Sequence, residues 1–152
     1  MTHLIQIRAA TLDDWPILTD FNIAMAKETE RRDLPREVVS SGVKRLLAKP
    51  EAGFYRVAEA GGDIAGCLMV TFEWSDWRDG FFWWIQSVYV RPGFRRQGVF
   101  RRLFQHLEAE ARSRDDVCGI RLYVEHENSI AQRTYATLGL QPTPYHIYEC
   151  EL

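Results

Sequence analysis

The segment Arg91-Pro92-Gly93-Phe94-Arg95-Arg96-Gln97-Gly98 follows an aromatic, β-branched run and opens into an amphipathic stretch. A strand, a basic turn and a helix start in that order gather main-chain N–H groups, a positive helix end and arginines around one point. That combination suits a phosphate, and a diphosphate better still. Gly98 lets the backbone approach such a ligand, and the N–H groups of Gln97, Gly98, Val99, Phe100 and Arg101 are natural donors. Arg95 and Arg96 supply charge. The plain alternative is a surface turn bearing arginines, and the loop taken alone does not decide between the two.

A second group of residues suits a cation. Glu73 and Asp76 are interleaved with Trp74 and Trp77, and Trp83 and Trp84 follow a short turn later. Carboxylates among aromatic rings form a pocket for an amine in its charged form. The same residues read equally as a solvated hairpin whose tryptophans belong to a core or a dimer seam. The three cysteines, Cys67, Cys118 and Cys150, lack metal-ligand spacing and sit in strand patterns, so they are expected as small core fillers. Their odd number argues for reduced thiols and a cytoplasmic location. No histidine pair has metal spacing either, and no metal site is expected.

These groups need a scaffold. The chain has 152 residues, 46% hydrophobic and 26% charged, which fits one domain with a fair-sized core. A formal net charge of -2 gives no general pull toward nucleic acid. No apolar run approaches membrane-spanning length, and Met1–Arg8 lacks the apolar core of a signal peptide. Alternation marks a strand at Leu4–Arg8. Thr11–Asp14 supplies capping residues for a helix from Trp15 to about Ala26, with the polar segment Lys27–Asp33 as a loop. Pro35 starts a second helix to about Ala48. Strands Phe54–Ala60 and Ile64–Glu73 flank a Gly61-Gly62-Asp63 turn, and Phe81–Val90 follows. A helix at Gly98–Arg112, a strand at Cys118–Glu125, a helix at Asn128–Leu138 ended by Gly139, and a strand at Tyr145–Glu151 complete the order βααβββαβαβ. The expected fold is α/β, a mixed sheet with helices on both faces, in a single domain spanning 1–152.

That order, with a basic loop after the fourth strand, resembles the GNAT superfamily of acyl-CoA-dependent N-acetyltransferases. Arg95-Arg96-Gln97-Gly98-Val99-Phe100 occupies the place of the family's pyrophosphate loop, Arg/Gln-x-x-Gly-x-Gly/Ala. Asn128, Ala131, Tyr135, Leu138 and Gly139 match its later segment. Phe100 departs from the pattern, and its ring is expected to turn into the core while its N–H stays available. The resemblance implies acetyl-CoA as cofactor and splayed central strands. It places the pantetheine along the edge of Val88, Tyr89 and Val90, with main-chain hydrogen bonds from Val88 and Val90. Asn128 reads as a helix cap or a cofactor contact, and Tyr135 as a core aromatic or the acid toward the departing thiolate. A phenol of pKa ~10 is about 1.5 units too weak to protonate a thiolate of pKa ~8.5 readily, so orientation and a hydrogen bond to sulfur weigh more than complete transfer.

The implied reaction is acetyl transfer from acetyl-CoA to a primary amine of a small molecule or peptide, by direct attack. At pH 7 roughly one lysine-like amine in 2,500 is neutral, so a base helps. Some family members carry a glutamate about eleven residues before the loop, and here that position is Trp84. The remaining base candidates are Glu73, taken first, then Asp76, Glu28 and Glu30; with Trp74 and Trp84 these residues border the acceptor cleft implied by the resemblance. A non-catalytic acyl-CoA-binding sensor on the same scaffold is the alternative, kept open by the missing glutamate and opposed by Tyr135. The aromatic content suggests a homodimer.

Overall fold

The computed structural model describes residues 3–152. Strands β1 (Ile5–Ala9), β2 (Gly53–Ala60), β3 (Asp63–Ser75) and β4 (Gly80–Val90) pair antiparallel in chain order, and β5 (Val117–Leu122) joins β4 in parallel. A parallel neighbour requires a crossover, and α3 (Val99–Arg112) provides it. The remaining helices are α1 (Trp15–Glu30), α2 (Arg36–Leu47) and α4 (Ser129–Thr137).

Period-two alternation sends the strand side chains to two cores. Tyr55 and Val57 of β2 meet Leu18, Phe21 and Val43 of α1 and α2, with Cys67 and Tyr89 in the same cluster. Ala58 and Ala60 point the other way, with Leu68, Trp83 and Ile85, and are covered by Val99, Leu103, Phe104, Leu107 and Ala111 of α3. Those five α3 residues recur at the spacing of one helix face, and all are buried. Gly61 and Gly62 both take positive φ in the β2–β3 turn, the backbone that a two-residue hairpin with right-handed strand twist demands.

Several expected boundaries move. Lys27, Glu28 and Glu30 lie on the last turns of α1 rather than in a loop, because Lys and Glu are good helix formers; the helix stops at Arg31 in a left-handed cap. The β5 strand ends at Leu122, short of the expected Glu125. The expected last strand, Tyr145–Glu151, has no regular structure, and Tyr145, Ile147 and Tyr148 are exposed. Pro142 and Pro144 precede it, each without a main-chain donor for a strand ladder. Cys67 is buried as expected, whereas Cys118 and Cys150 are exposed and fill no core. Trp83 is buried on the α3 face, wedged against Phe54 and Phe72, so it takes no part in a tryptophan pocket. Trp84, one residue on, faces the opposite way.

Candidate active site

The site is a place where the sheet comes apart. The β4–β5 pairing runs from Phe81↔Val117 to Ile85↔Leu122 and stops, while β4 continues to Val90. On its other side β4 stays paired with β3, but the register shifts: Val70 faces Ile85 and Leu68 faces Val88. Gln86 and Ser87 therefore stand opposite Met69 alone. A bulge of this kind bends its strand and strengthens the twist, which carries β4 away from β5 at that point. The edge of Val88–Val90 that faces away from β3 is left without a strand partner. An amide-bearing ligand can add to such an edge.

The turn after β4 prepares an anion site. Pro92–Phe94 forms a single 3₁₀ turn, and Arg96 (φ 62°) and Gly98 (φ 80°) both adopt the left-handed region before α3 begins. Gln97 ties the loop to itself, its amide donating to the Gly93 carbonyl at 3.0 Å. None of the N–H groups from Gln97 to Arg101 makes a hydrogen bond of ordinary geometry to an acceptor among the described residues; the first helical bond is donated by Arg102 to Gly98. Free donors, the positive end of a 14-residue helix and arginine side chains thus converge.

The arginines divide their work. Arg95 donates from Nη2 to Glu28 at 2.6 Å and from Nε to the Val90 carbonyl at 2.8 Å. Its guanidinium is engaged at the end of α1. Val90 likewise offers its carbonyl to Arg95, which leaves Val88 as the less encumbered edge residue. The Tyr89 hydroxyl adds a 3.3 Å bond to Glu28, so Glu28 stands beside this loop. Arg96 and Arg101 form no ion pair among the described residues.

Phe100, the departure from the family pattern, turns its ring onto Phe104 and Tyr135, with centroids 6.3 and 5.7 Å away. Its main-chain N–H stays in the free first turn. The edge-on contact with Phe100 orients Tyr135, and burial pushes its phenol above the ordinary value. Asn128 caps α4, its side chain accepting from the Ala131 N–H at 3.1 Å.

At the other end of β4 a cavity of about 290 Å³ is lined by Glu73, Trp74, Asp76, Trp77, Phe82 and Arg121, with Tyr145 beside them. Arg121 donates to Glu73 Oε1 at 2.6 Å and stacks on Phe82 at 3.6 Å, and Glu73 Oε2 carries no bond among the described residues. The Phe82 ring lies where a side chain on Gly119 would begin, 2.7 Å from that position, so glycine is required for this floor. Trp84 stacks on Tyr123 with centroids 4.5 Å apart, walling the space between cavity and bulge. Glu73 stands opposite Phe82, three residues before Ile85 and so about 10 Å along the strand from the divergence. That placement fits acceptor binding better than proton abstraction at the reacting carbon. Glu30 is exposed at the end of α1 and is not among the residues lining this cavity. Sequence reasoning passed over Arg121 and Tyr123; their alternation with Ile120 and Leu122 puts them on one face together, and only the β4–β5 register shows it to be that of Phe82 and Trp84.

A parallel β4–β5 pair that splays beside a free helix start defines an acyl-CoA N-acyltransferase fold. The sequence model of the Acetyltransferase (GNAT) family matches residues 13–140, and the chain belongs to that family. A possible acetyltransferase from Clostridium difficile 630 is 42% identical, with 98% of each chain covered and a TM-score of 0.92. The aminoglycoside N-acetyltransferase AAC(6')-Iy in complex with CoA superposes with a TM-score of 0.79 at 16% identity, covering 99% of this chain and 97% of that one. A ribosomal-protein-alanine N-acetyltransferase from Brucella melitensis biovar Abortus 2308 gives 0.77 at 15% identity, covering 98% and 100%. The last two share the fold and differ from each other in acceptor, so fold alone names none here. Among the described residues no helix is long and apolar enough to cross a membrane, and no group of His, Cys, Asp and Glu is arranged to hold a metal.

Proposed function

We propose that the chain is a single-domain N-acetyltransferase that moves an acetyl group from acetyl-CoA to a primary amine by direct attack. The observation that carries this reading is the juxtaposition of β4's unpaired edge with the uncommitted N–H groups at the start of α3. Acetyl-CoA supplies an acyl group activated by a thiol leaving group. Gly98, Val99, Phe100 and Arg101 hold its diphosphate through their main chain, with Gln97 framing the loop and Arg96 adding charge. Val88, flanked by Tyr89 and Val90, pairs with the pantetheine. Arg95 acts indirectly, clamping the loop to Glu28 and shaping it.

Tyr135 donates its phenolic hydrogen toward the sulfur. Burial keeps that phenol protonated through neutral and mildly alkaline pH, so it serves as a donor rather than a complete source of protons. Glu73, pinned at one oxygen by Arg121, presents the other to a cationic group of the acceptor, with Asp76, Trp74 and Trp77 around it. Trp84 walls the path from there to the reacting centre. Three unpaired cysteines fit work in the cytoplasm.

Thiol release from acetyl-CoA, followed with a panel of polyamines, amino acids and peptide amines, tests the proposal. Turnover on at least one primary amine, with acetylated nitrogen in the product, is expected. Tight acetyl-CoA binding with no turnover on any amine would replace the enzyme with a sensor.

A further inference from the structure

We infer that the acceptor is a free diamino acid of lysine length, its zwitterionic head held in the cavity beside β4 and its side-chain amine at the thioester. The inference rests on the N-acetyltransferase reading above and narrows its acceptor. Four charged side chains line that cavity: Glu73, Asp76, Arg78 and Arg121. Two are anions and two are cations, so the wall is neutral as a whole and strongly polar in its parts. A diamine adds positive charge beside two guanidiniums, and a simple carboxylic acid adds negative charge beside two carboxylates. A head bearing one ammonium and one carboxylate meets opposite charge on both counts, and repulsion rejects the other two classes.

The cations gather on one ring. The guanidinium carbons of Arg121 and Arg78 lie 3.6 and 5.0 Å from the Phe82 centroid. Arg121 commits one donor to Glu73 at 2.6 Å, and its other N–H groups make no hydrogen bond among the described residues. Arg78 is exposed and makes a long 3.4 Å contact with the Ser75 hydroxyl. Each can present a planar pair of donors to a carboxylate. For the ammonium, Glu73 keeps Oε2, and Asp76 forms no ion pair among the described residues.

Spacing sets the length of the acceptor. Glu73 stands about 10 Å along the strand from the divergence, where the proposed transfer takes place. A charge-assisted hydrogen bond of ~2.8 Å to Glu73 leaves about 7 Å between the ligand's two nitrogens. An extended chain rises ~1.1–1.2 Å per bond, a third of its rise per residue, so roughly six bonds separate them. The α-ammonium and side-chain amine of lysine are that far apart, and those of ornithine fall a bond short. Trp84, stacked on Tyr123 and 6.0 Å from the Arg121 guanidinium, flanks the methylenes between. In the transfer the side-chain nitrogen's lone pair forms the C–N bond, the C–S bond breaks with its electrons on sulfur, and the proton lost by nitrogen ends on the thiol.

Thiol release from acetyl-CoA by the full chain, compared across matched acceptors, tests the inference. L-Lysine should exceed cadaverine, which lacks the carboxylate, and 6-aminohexanoate, which lacks the α-ammonium, by about ten- to a hundredfold in kcat/KM, the loss of one hydrogen bond to a charged group. It should exceed L-ornithine by about tenfold or more, with the acetyl group on the side-chain nitrogen of the product. Arg78→Gln should cut the lysine-to-cadaverine ratio about tenfold, and its turnover of cadaverine shows that the variant is folded. Cadaverine, or lysine blocked at both its α-amine and its carboxylate, matching free lysine would overturn the inference and leave the N-acetyltransferase standing. An unchanged ratio in Arg78→Gln would do the same. Absence of turnover on every amine would overturn both.

Discussion

Gly98→Ala isolates what the left-handed turn before α3 contributes. Gly98 sits at φ 80°, ψ 16°, and a methyl group there meets nothing within 4 Å, so the substitution carries no steric clash and only a conformational cost. For an L-residue in that region the cost is about 1–2 kcal/mol, reduced where the backbone relaxes. A net loss of roughly 1 kcal/mol lowers the melting temperature by about 2–4 °C in a chain of this length. Relaxation out of the left-handed region also swings the N–H groups of Gly98 and Val99 off their common point. Hydrogen bonds to charged groups contribute about 1.5–3 kcal/mol each. Partial loss of two therefore weakens acetyl-CoA by roughly ten- to a hundredfold. Gly98→Asn, whose side chain tolerates the left-handed region, should recover most of both effects. Calorimetric titration with acetyl-CoA and thermal melts measure the two quantities on the same samples. An alanine variant that binds as tightly as the parent would refute the claim that this turn builds the diphosphate site.

Tyr135→Phe should lower kcat by about two orders of magnitude, the lower range for a positioned acid, while acetyl-CoA affinity holds; equal turnover in stopped-flow and steady-state assays would remove the phenol from the reaction. Because burial raises its pKa, the parent's kcat should show no alkaline loss from this group until above pH 10. Glu73→Gln should raise KM for the acceptor about tenfold and change kcat little, and the reverse split would make it a base instead. Asp14 is held below its ordinary pKa chiefly by hydrogen bonds from Arg8, at 2.8 and 3.0 Å. Its unfolded-state pKa is the higher one, so the stabilisation is present above about pH 4 and is lost as pH falls through the lower folded value. Asp14→Asn should cost about 2 kcal/mol at pH 7 and less at pH 3, read from denaturant melts at both.

What the sequence made legible is what local chemistry determines. The Gly61-Gly62 turn, the helical face from Val99 to Ala111 and the capping of α4 by Asn128 each depend on residues within a few positions of one another. The bulge at Gln86 and Ser87 does not. It exists only as a mismatch between β4 and β3, so one strand read alone runs straight through it. Adjacent Trp83 and Trp84 look like one aromatic group along the chain, yet strand alternation sends them to opposite faces. The Arg95–Glu28 pair joins residues 67 apart, and a carboxylate on α1 gave no sign of which arginine it would hold. The final segment has the pattern of a strand, but a strand also needs a partner, and no strand among the described residues pairs with it.

Amide hydrogen exchange from Gln97 to Arg101, recorded with and without coenzyme A, reads the decisive donors themselves. Slowing confined to these amides and to the Val88–Val90 edge is the anticipated result. Unchanged exchange there, under conditions where the ligand is demonstrably bound, would place the nucleotide elsewhere and contradict the whole assignment.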